Sequence, residues 1–348
     1  MNYWEVSLMD CQIKITDNKA VWKIQAALAL IFLLNPFLGV LSTLFFVFVS
    51  KEKSMAFYLV IILTLFMWCL QSTRSFHLGE PSDWAGNYYY NFHNAAITDT
   101  LTYLFFTTKE YAWQAFNLIG YYLFDGDFLS YANFIVALTY MFTFAAIYKF
   151  WNYIQADPRF LVASLCLFAF VTEVNGICNN LLRQQFAMSM MLYAIIERCT
   201  NGRILYPLLV ISFFTHTMTG FFIPFLFIRL GKKASFRFYI YIVLGFGLLY
   251  ILFTNLSIFS SSSFYAFQRL ATASNAYALK DIIQPSAVYP FLAVTVILYV
   301  KAFFFDSERR KCELYINNLF LILISMCLLM TSMPLMQTRY FIIRFFFM

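Results

Sequence analysis

Arg183 follows Asn179-Asn180-Leu181-Leu182 and precedes Gln184-Gln185 and a fresh apolar run, which groups a guanidinium with amide side chains at one helix end. An ionisable group beside an apolar helix is costly unless it is partnered. Arg183, with Asn180 and Gln184, suits multidentate binding of phosphate or pyrophosphate, because a planar guanidinium presents several donors in a fixed fork. The competing reading is an interface anchor, its stem on apolar surface and its head in water. His216, one of three histidines, sits among Phe213, Phe214, Phe221 and Phe222. A neutral imidazole there either rests on a backbone carbonyl or acts as a general base, taking a hydroxyl proton as that oxygen attacks. Asp83 lies in the stretch Arg74-Ser-Phe-His-Leu-Gly-Glu-Pro-Ser-Asp83-Trp-Ala-Gly-Asn-Tyr88. Asp in such a loop usually accepts backbone N–H groups, but followed by Tyr88-Tyr89-Tyr90 it also offers a carboxylate beside aromatic faces, a combination suited to sugars. Arg269 and Arg339 extend the cationic lining, and Glu173 is the expected electrostatic partner of Arg183.

Other chemistries lack their signatures. The sequence contains no GxxxxGK[ST], no HExxH, no paired zinc spacing and no GxSxG elbow, which sets aside nucleotide hydrolysis, zinc proteolysis and the usual serine-hydrolase arrangement. Any group transfer must draw its energy from an activated substrate. The seven cysteines are scattered without a CxxC pair and read as small apolar residues rather than metal ligands or disulfides. The net charge of +7 is spread over short connectors, too dispersed to track a nucleic-acid backbone.

The elements that must hold these residues are membrane helices. Hydrophobic residues make up 62% of the 348 and charged residues only 12%, about half the charged share of a soluble domain. Candidate spans are 24–49, 55–72, 132–150, 160–174, 184–196, 236–255, 287–305 and 314–331, with Asn35-Pro36 predicting a kink in the first. Residues 204–230 are long enough for one tilted span but carry Thr215-His216-Thr217, Gly220 and Pro224. Placing every basic connector on the cytoplasmic side requires this segment to be a broken hairpin with His216 near its outer turn. The same count puts 74–130, 175–183, 257–286 and 332–339 outside. The first of these holds His77, Asp83, His93, Asp99, Glu110, Asp125 and Asp127, and its apolar piece 112–124 is too short to span. If that piece did span, the two upstream helices would flip. The Lys and Arg count of the N-terminal region and first loop slightly favours that arrangement. No signal-peptide pattern precedes residue 24, and no internal repeat is visible.

Taken in order, Asn180-Leu-Leu-Arg183-Gln184-Gln-Phe-Ala187 and Ser212-Phe-Phe-Thr-His216-Thr-Met-Thr resemble the EpsG-type branch of bacterial Wzy-type polysaccharide polymerases. Arg74, Gly79, Asp83 and Tyr88 fit the family's upstream pattern loosely, and Arg339-Tyr340 matches its C-terminal arginine-tyrosine. Thr215 stands where the family has an aromatic residue, and the polar stretch before the first span is atypical. The chain stops at Phe345-Phe-Phe-Met348, part-way through an apolar helical run, which leads us to expect a truncated or shorter last span.

The resemblance implies an all-α, polytopic transmembrane bundle of about ten or more membrane segments, GT-C-like, forming a single domain with an outer loop at 74–130. It implies a multi-pass protein of the bacterial inner membrane that polymerises undecaprenyl-pyrophosphate-linked repeat units into O-antigen or exopolysaccharide. Transfer would be inverting and face the periplasm. Arg183, Asn180, Gln184, Arg269 and Arg339 would hold pyrophosphate, Arg74 and Tyr88 would contact glycan, and His216 or Asp83 would be the base. Lipid-linked donor and acceptor, the bilayer and a chain-length regulator are the implied partners, with no cofactor, metal or nucleic acid. Two other readings stay open: a flippase or secondary transporter for lipid-linked oligosaccharide, and a membrane acyltransferase using His216.

Overall fold

In the computed structural model, residues 18–50, 52–75, 77, 84–170, 181–227, 244–245, 248, 314–316 and 318–319 are described. All regular elements among them are helical. Candidate spans 236–255, 287–305 and 314–331 fall almost wholly outside these residues, as do the outer segments 257–286 and 332–339.

Asn35-Pro36 does more than kink the first candidate span. It ends one helix, α1 (Asn18–Leu34), and starts another, α2 (Pro36–Ser50), which folds back along the first. Pro36 is suited to a first helical position, where its missing N–H costs nothing. The Asn35 side chain accepts from Leu38 N–H at 3.1 Å and so caps α2. The reversal is tight: a Cβ on Gly39 would lie 2.4 Å from Phe32 Cα, so only glycine admits this approach. The expectation of one kinked crossing at 24–49 is therefore corrected. The first half of α1 lies beside the start of α3 (Lys53–Ser72), with Tyr58 Oη donating to the Gln25 carbonyl at 2.9 Å.

Among the described residues, two helices are long and apolar enough to cross a membrane, α3 and α7 (Phe128–Ile154). At 1.5 Å per residue they measure about 30 and 40 Å, against a hydrocarbon core of about 30 Å. They run antiparallel, since Phe57 meets Tyr148 and Trp68 meets Phe134. Ser72 and Phe128 thus share one end of the bundle, joined by a chain of short helices. That chain forms a widened helical turn (Trp84–Tyr88), then α4 (Tyr89–Ile97), α5 (Thr100–Phe106) and α6 (Tyr111–Leu123). At about 20 Å, α6 is shorter than a hydrocarbon core.

Beyond α7 come α8 (Pro158–Phe170), α9 (Leu182–Asn201) and α10 (Tyr206–Thr215). Helix α9 runs parallel to α7, with Phe142 against Phe186 near its start and Lys149 paired with Glu197 near its end. Gly202, at φ 71°, closes α9 in the left-handed region glycine tolerates, and the chain returns as α10. Ser212 Oγ fastens the return by donating to the Ala187 carbonyl at 2.8 Å. Lys53, Lys149, Arg198 and Arg203 thereby gather at one end, whereas Arg74, Glu110, Arg183 and His216 belong to the other.

The chain divides into two compact units, Met1–Phe221 and Phe222–Met348. In the second, Tyr315 Oη donates to the Phe225 carbonyl of α11 (Ile223–Phe227).

Candidate functional site

Helix α10 stops at His216, whose backbone is extended (φ −153°, ψ 116°), and a tight 3-10 turn over Thr217–Phe222 follows. The His216 carbonyl, released from the helix, accepts from Thr219 N–H at 3.0 Å and Thr219 Oγ1 at 2.9 Å. Gly220 passes so close to Phe213 that a Cβ would stand 2.7 Å from its ring. The expected break is present, and it presents the imidazole at the end of the bundle that also carries Arg183.

What joins the two is Glu110. His216 Nδ1 lies 2.8 Å from Glu110 Oε1, and Arg183 Nη1 lies 2.5 Å from Glu110 Oε2. The side chains of Glu110 and His216 are 13% and 12% exposed and that of Arg183 28%, so the ion pair is only partly screened by water. Burial pushes the Glu110 carboxyl up. The His216 hydrogen bond, the Arg183 charge, the His216 charge and the Thr217 backbone N–H together pull it further down, leaving it below the usual carboxylate range. Glu110 is therefore an anion at neutral pH.

The position of Glu110 is fixed by polar contacts along α6. Glu110 N–H donates to Thr108 Oγ1 at 3.2 Å, and fully buried Gln114 donates to Thr107 Oγ1 and Thr108 Oγ1 at 3.1 and 3.3 Å. One turn on, Tyr131 Oη donates to Asn117 Oδ1 at 2.9 Å, Asn117 Nδ2 to Tyr103 Oη at 3.2 Å, and Tyr103 Oη to the Asn91 carbonyl at 2.6 Å. Ring contacts of Tyr111 with Phe214 and of Phe116 with Phe186 press α6 onto α10 and α9. Since α6 contacts both helices that carry Arg183 and His216, its first turn lies where the two side chains meet.

At the start of α9, Arg183 Nε, Gln184 Nε2 and both polar atoms of Gln185 are buried with no hydrogen-bond partner among the described residues. The nitrogen donors among these atoms are of a kind uncommon in a folded interior and are suited to an incoming acceptor, whereas Gln185 Oε1 is itself an acceptor. The N-terminal end of a helix adds further unsatisfied N–H groups and partial positive charge.

The other expected residues are placed as follows. Arg74 lies 4.2 Å over the Trp84 ring. Tyr88 is buried edge-on against Trp113, so its ring faces protein. Asp83, Asn180, Arg269, Arg339 and Glu173 lie outside the described residues. Of the remaining groups in the first outer loop, Asp99 caps α5 through Thr102 N–H and Asp127 caps α7 through Leu129 and Ser130 N–H. His93 Nδ1 lies 3.0 Å from the Tyr89 carbonyl of its own helix. Glu110 was visible in the sequence only as one of several loop acids. The usable signal was the pattern Asp-x-x-Thr/Ser, which marks Asp99 and Asp127 as caps and leaves Glu110 without that explanation.

Searches of curated proteins and of solved structures return no match to this chain. The model of the EpsG family matches residues 57–348, a range that includes Glu110, Arg183 and His216. The chain belongs to the EpsG family, a membrane family associated with polysaccharide polymerase glycosyltransferase activity on lipid-linked sugars.

Proposed function

We propose that this protein elongates glycans by inverting transfer between two polyprenyl-pyrophosphate-linked repeat units, at the periplasmic face of the bacterial inner membrane. The carrying observation is that Arg183 and His216, singled out separately in the sequence, sit on two oxygens of one carboxylate. A phosphate-binding cation and a base are thus within one side chain of each other.

In this reading the donor's pyrophosphate meets the remaining donors of Arg183 and the unpartnered amide of Gln184, and Asn180, Arg269 and Arg339 are the further pyrophosphate ligands expected from the sequence. An acceptor hydroxyl attacks the anomeric carbon from the opposite face as His216 takes its proton. The anomeric C–O bond breaks, and its electron pair leaves with the pyrophosphate. Charge grows on that leaving group, and fixed cations and dipoles lower the barrier most where charge develops. Asp83 is the alternative base and Arg74 the proposed glycan contact, whereas Tyr88, its ring packed on Trp113, is set aside from that role. The basic end of the bundle faces the cytoplasm in this orientation.

The test is elongation of lipid-linked oligosaccharide by the purified protein in vesicles, read as a gel ladder. Arg183→Ala abolishes the ladder, and Arg183→Lys, which keeps charge but loses the fork, gives a weak one. A full ladder from both variants at normal protein levels refutes the assignment. A flippase would move substrate without forming a ladder.

A further inference from the structure

We propose that Glu110 is a positioning residue that couples donor binding to the base: it holds His216 in the Nδ1–H tautomer, and it shares its charge with Arg183 until pyrophosphate engages that guanidinium. This inference rests on the pyrophosphate role given above to Arg183.

The first half follows from protonation. Glu110 is ionised, so both its oxygens accept hydrogen bonds and neither donates. The nitrogen 2.8 Å from Oε1 must carry a hydrogen, and that nitrogen is Nδ1. A neutral His216 thus holds its lone pair on Nε2, the atom that exchanges protons with substrate. A carboxylate on one imidazole nitrogen is a general device for fixing the tautomer and supporting the imidazolium that forms.

The second half follows from charge. One carboxylate faces one permanent cation and one titratable ring, because arginine does not lose its proton in proteins. With Nη1 at 2.5 Å, the guanidinium balances Glu110, and a proton added to His216 meets a nearly neutral pair. Binding of pyrophosphate to Arg183 cancels the guanidinium's field. The charge of Glu110 then acts on His216 alone, and the ring becomes a stronger base when a donor is in place. Among the described residues, the ionisable groups on the elements packed against α10 near His216 are Glu110 and Tyr111 at the start of α6 and Arg183 at the start of α9, with Lys109 just before Glu110. The other ionisable groups of α9, Tyr193, Glu197, Arg198 and Cys199, lie toward its far end.

The experiment uses the full chain in lipid nanodiscs with nitrogen-labelled histidine. Its three histidines are resolved by replacing His77 and His93. Nitrogen shifts report the tautomer of His216, and a pH titration reports its protonation, with and without saturating inorganic pyrophosphate. We expect the Nδ1–H tautomer, and a roughly tenfold rise in proton affinity on adding pyrophosphate, the scale of one nearby charge at partial screening. Glu110→Gln should lose both the tautomer preference and the response. Arg183→Gln should show the raised affinity without pyrophosphate, and it keeps the test decisive if Glu110→Gln does not fold. An Nε2–H tautomer in the unaltered protein, or a titration unmoved by pyrophosphate, overturns the proposal. The elongation ladder separates the two ideas. A ladder without the response sinks only the coupling, whereas the response without a ladder sinks the polymerase reading and leaves the coupling standing.

Discussion

Gly120→Ala adds one methyl group far from any reacting atom, yet the packing of α6 predicts a loss of function. A Cβ at Gly120 would lie 2.3 and 2.4 Å from Tyr131 Cδ2 and Cε2, about 1 Å inside ordinary contact, which begins at 3.4 Å. The Tyr131 ring is held on both sides. It is 2% exposed, stacks on Phe92 at 4.8 Å and donates its hydroxyl to Asn117 of α6. The strain therefore falls on α6, which must move off α7 by about 1 Å, a typical overpacking cost being 1–3 kcal/mol. Glu110 stands at the start of this short helix, ten residues and about 15 Å along the axis before Gly120, and travels with it. A displacement of about 1 Å in a positioned group costs on the order of a hundredfold in rate. The assay pairs thermal unfolding in detergent with the elongation ladder. Gly86→Ala is the control, since a Cβ there meets nothing within 4 Å. If Gly120→Ala matches Gly86→Ala in both measurements, then α6 does not position Glu110 in the way argued here.

Further outcomes follow from other contacts. Asp127→Ala removes the side chain that caps α7 and should lower stability by about 1 kcal/mol in thermal unfolding, with Asp127→Asn costing much less. Glu110, held below its ordinary 4.5, contributes stability that is present above that value and is lost as pH falls through the depressed one. Unaltered protein should accordingly lose stability relative to Glu110→Gln only below about pH 4.5, seen as converging melting curves. Glu197→Gln leaves Lys149 without its charged partner between α7 and α9 and should cost about 2–3 kcal/mol, whereas Lys149→Met with Glu197→Leu should recover most of the loss in a double-mutant cycle. With the native cysteines replaced, thiols introduced at Lys23 and Lys53 should be labelled by an impermeant reagent from the same side of the membrane, and one at Asn35 from neither.

Much of this arrangement was legible in the sequence because membrane helices announce themselves by length and apolar composition. The break at His216 was readable for the same reason: a polar Thr-His-Thr with Gly220 behind it cannot continue an apolar helix without cost. The site was only half legible. Arg183 and His216 stand out chemically, but their common partner belongs to a segment distant in the chain, and nothing local to Thr107-Thr108-Lys109-Glu110 reveals that Gln114 clamps it or that α6 packs on α10. Tyr88 shows the converse. Its sequence context suggested an open aromatic face, and tertiary packing on Trp113 buried it. The first span was misjudged because Asn-Pro signals an interruption without its angle. The reversal depends on the contact between Gly39 and Phe32, which no local pattern shows. That reversal also relieves the charge imbalance upstream, since Lys23 joins Lys53 at the basic end rather than standing opposite it.

The same helical pair bears on the surrounding lipid. Its arms measure about 26 and 22 Å, shorter than a hydrocarbon core of about 30 Å. Leu33, Leu34, Phe37 and Leu38 are exposed at the tip, while Asn35 satisfies the backbone where the arms join. A pair entering from the basic side and turning back before the far surface adds bulk unequally to the two leaflets. Acyl chains beneath the tip must then shorten or tilt to meet it, at a fraction of a kcal/mol per Å of mismatch. The bilayer next to the bundle would be drawn thinner there, and a lipid-linked sugar would meet a locally deformed membrane as it approaches the protein.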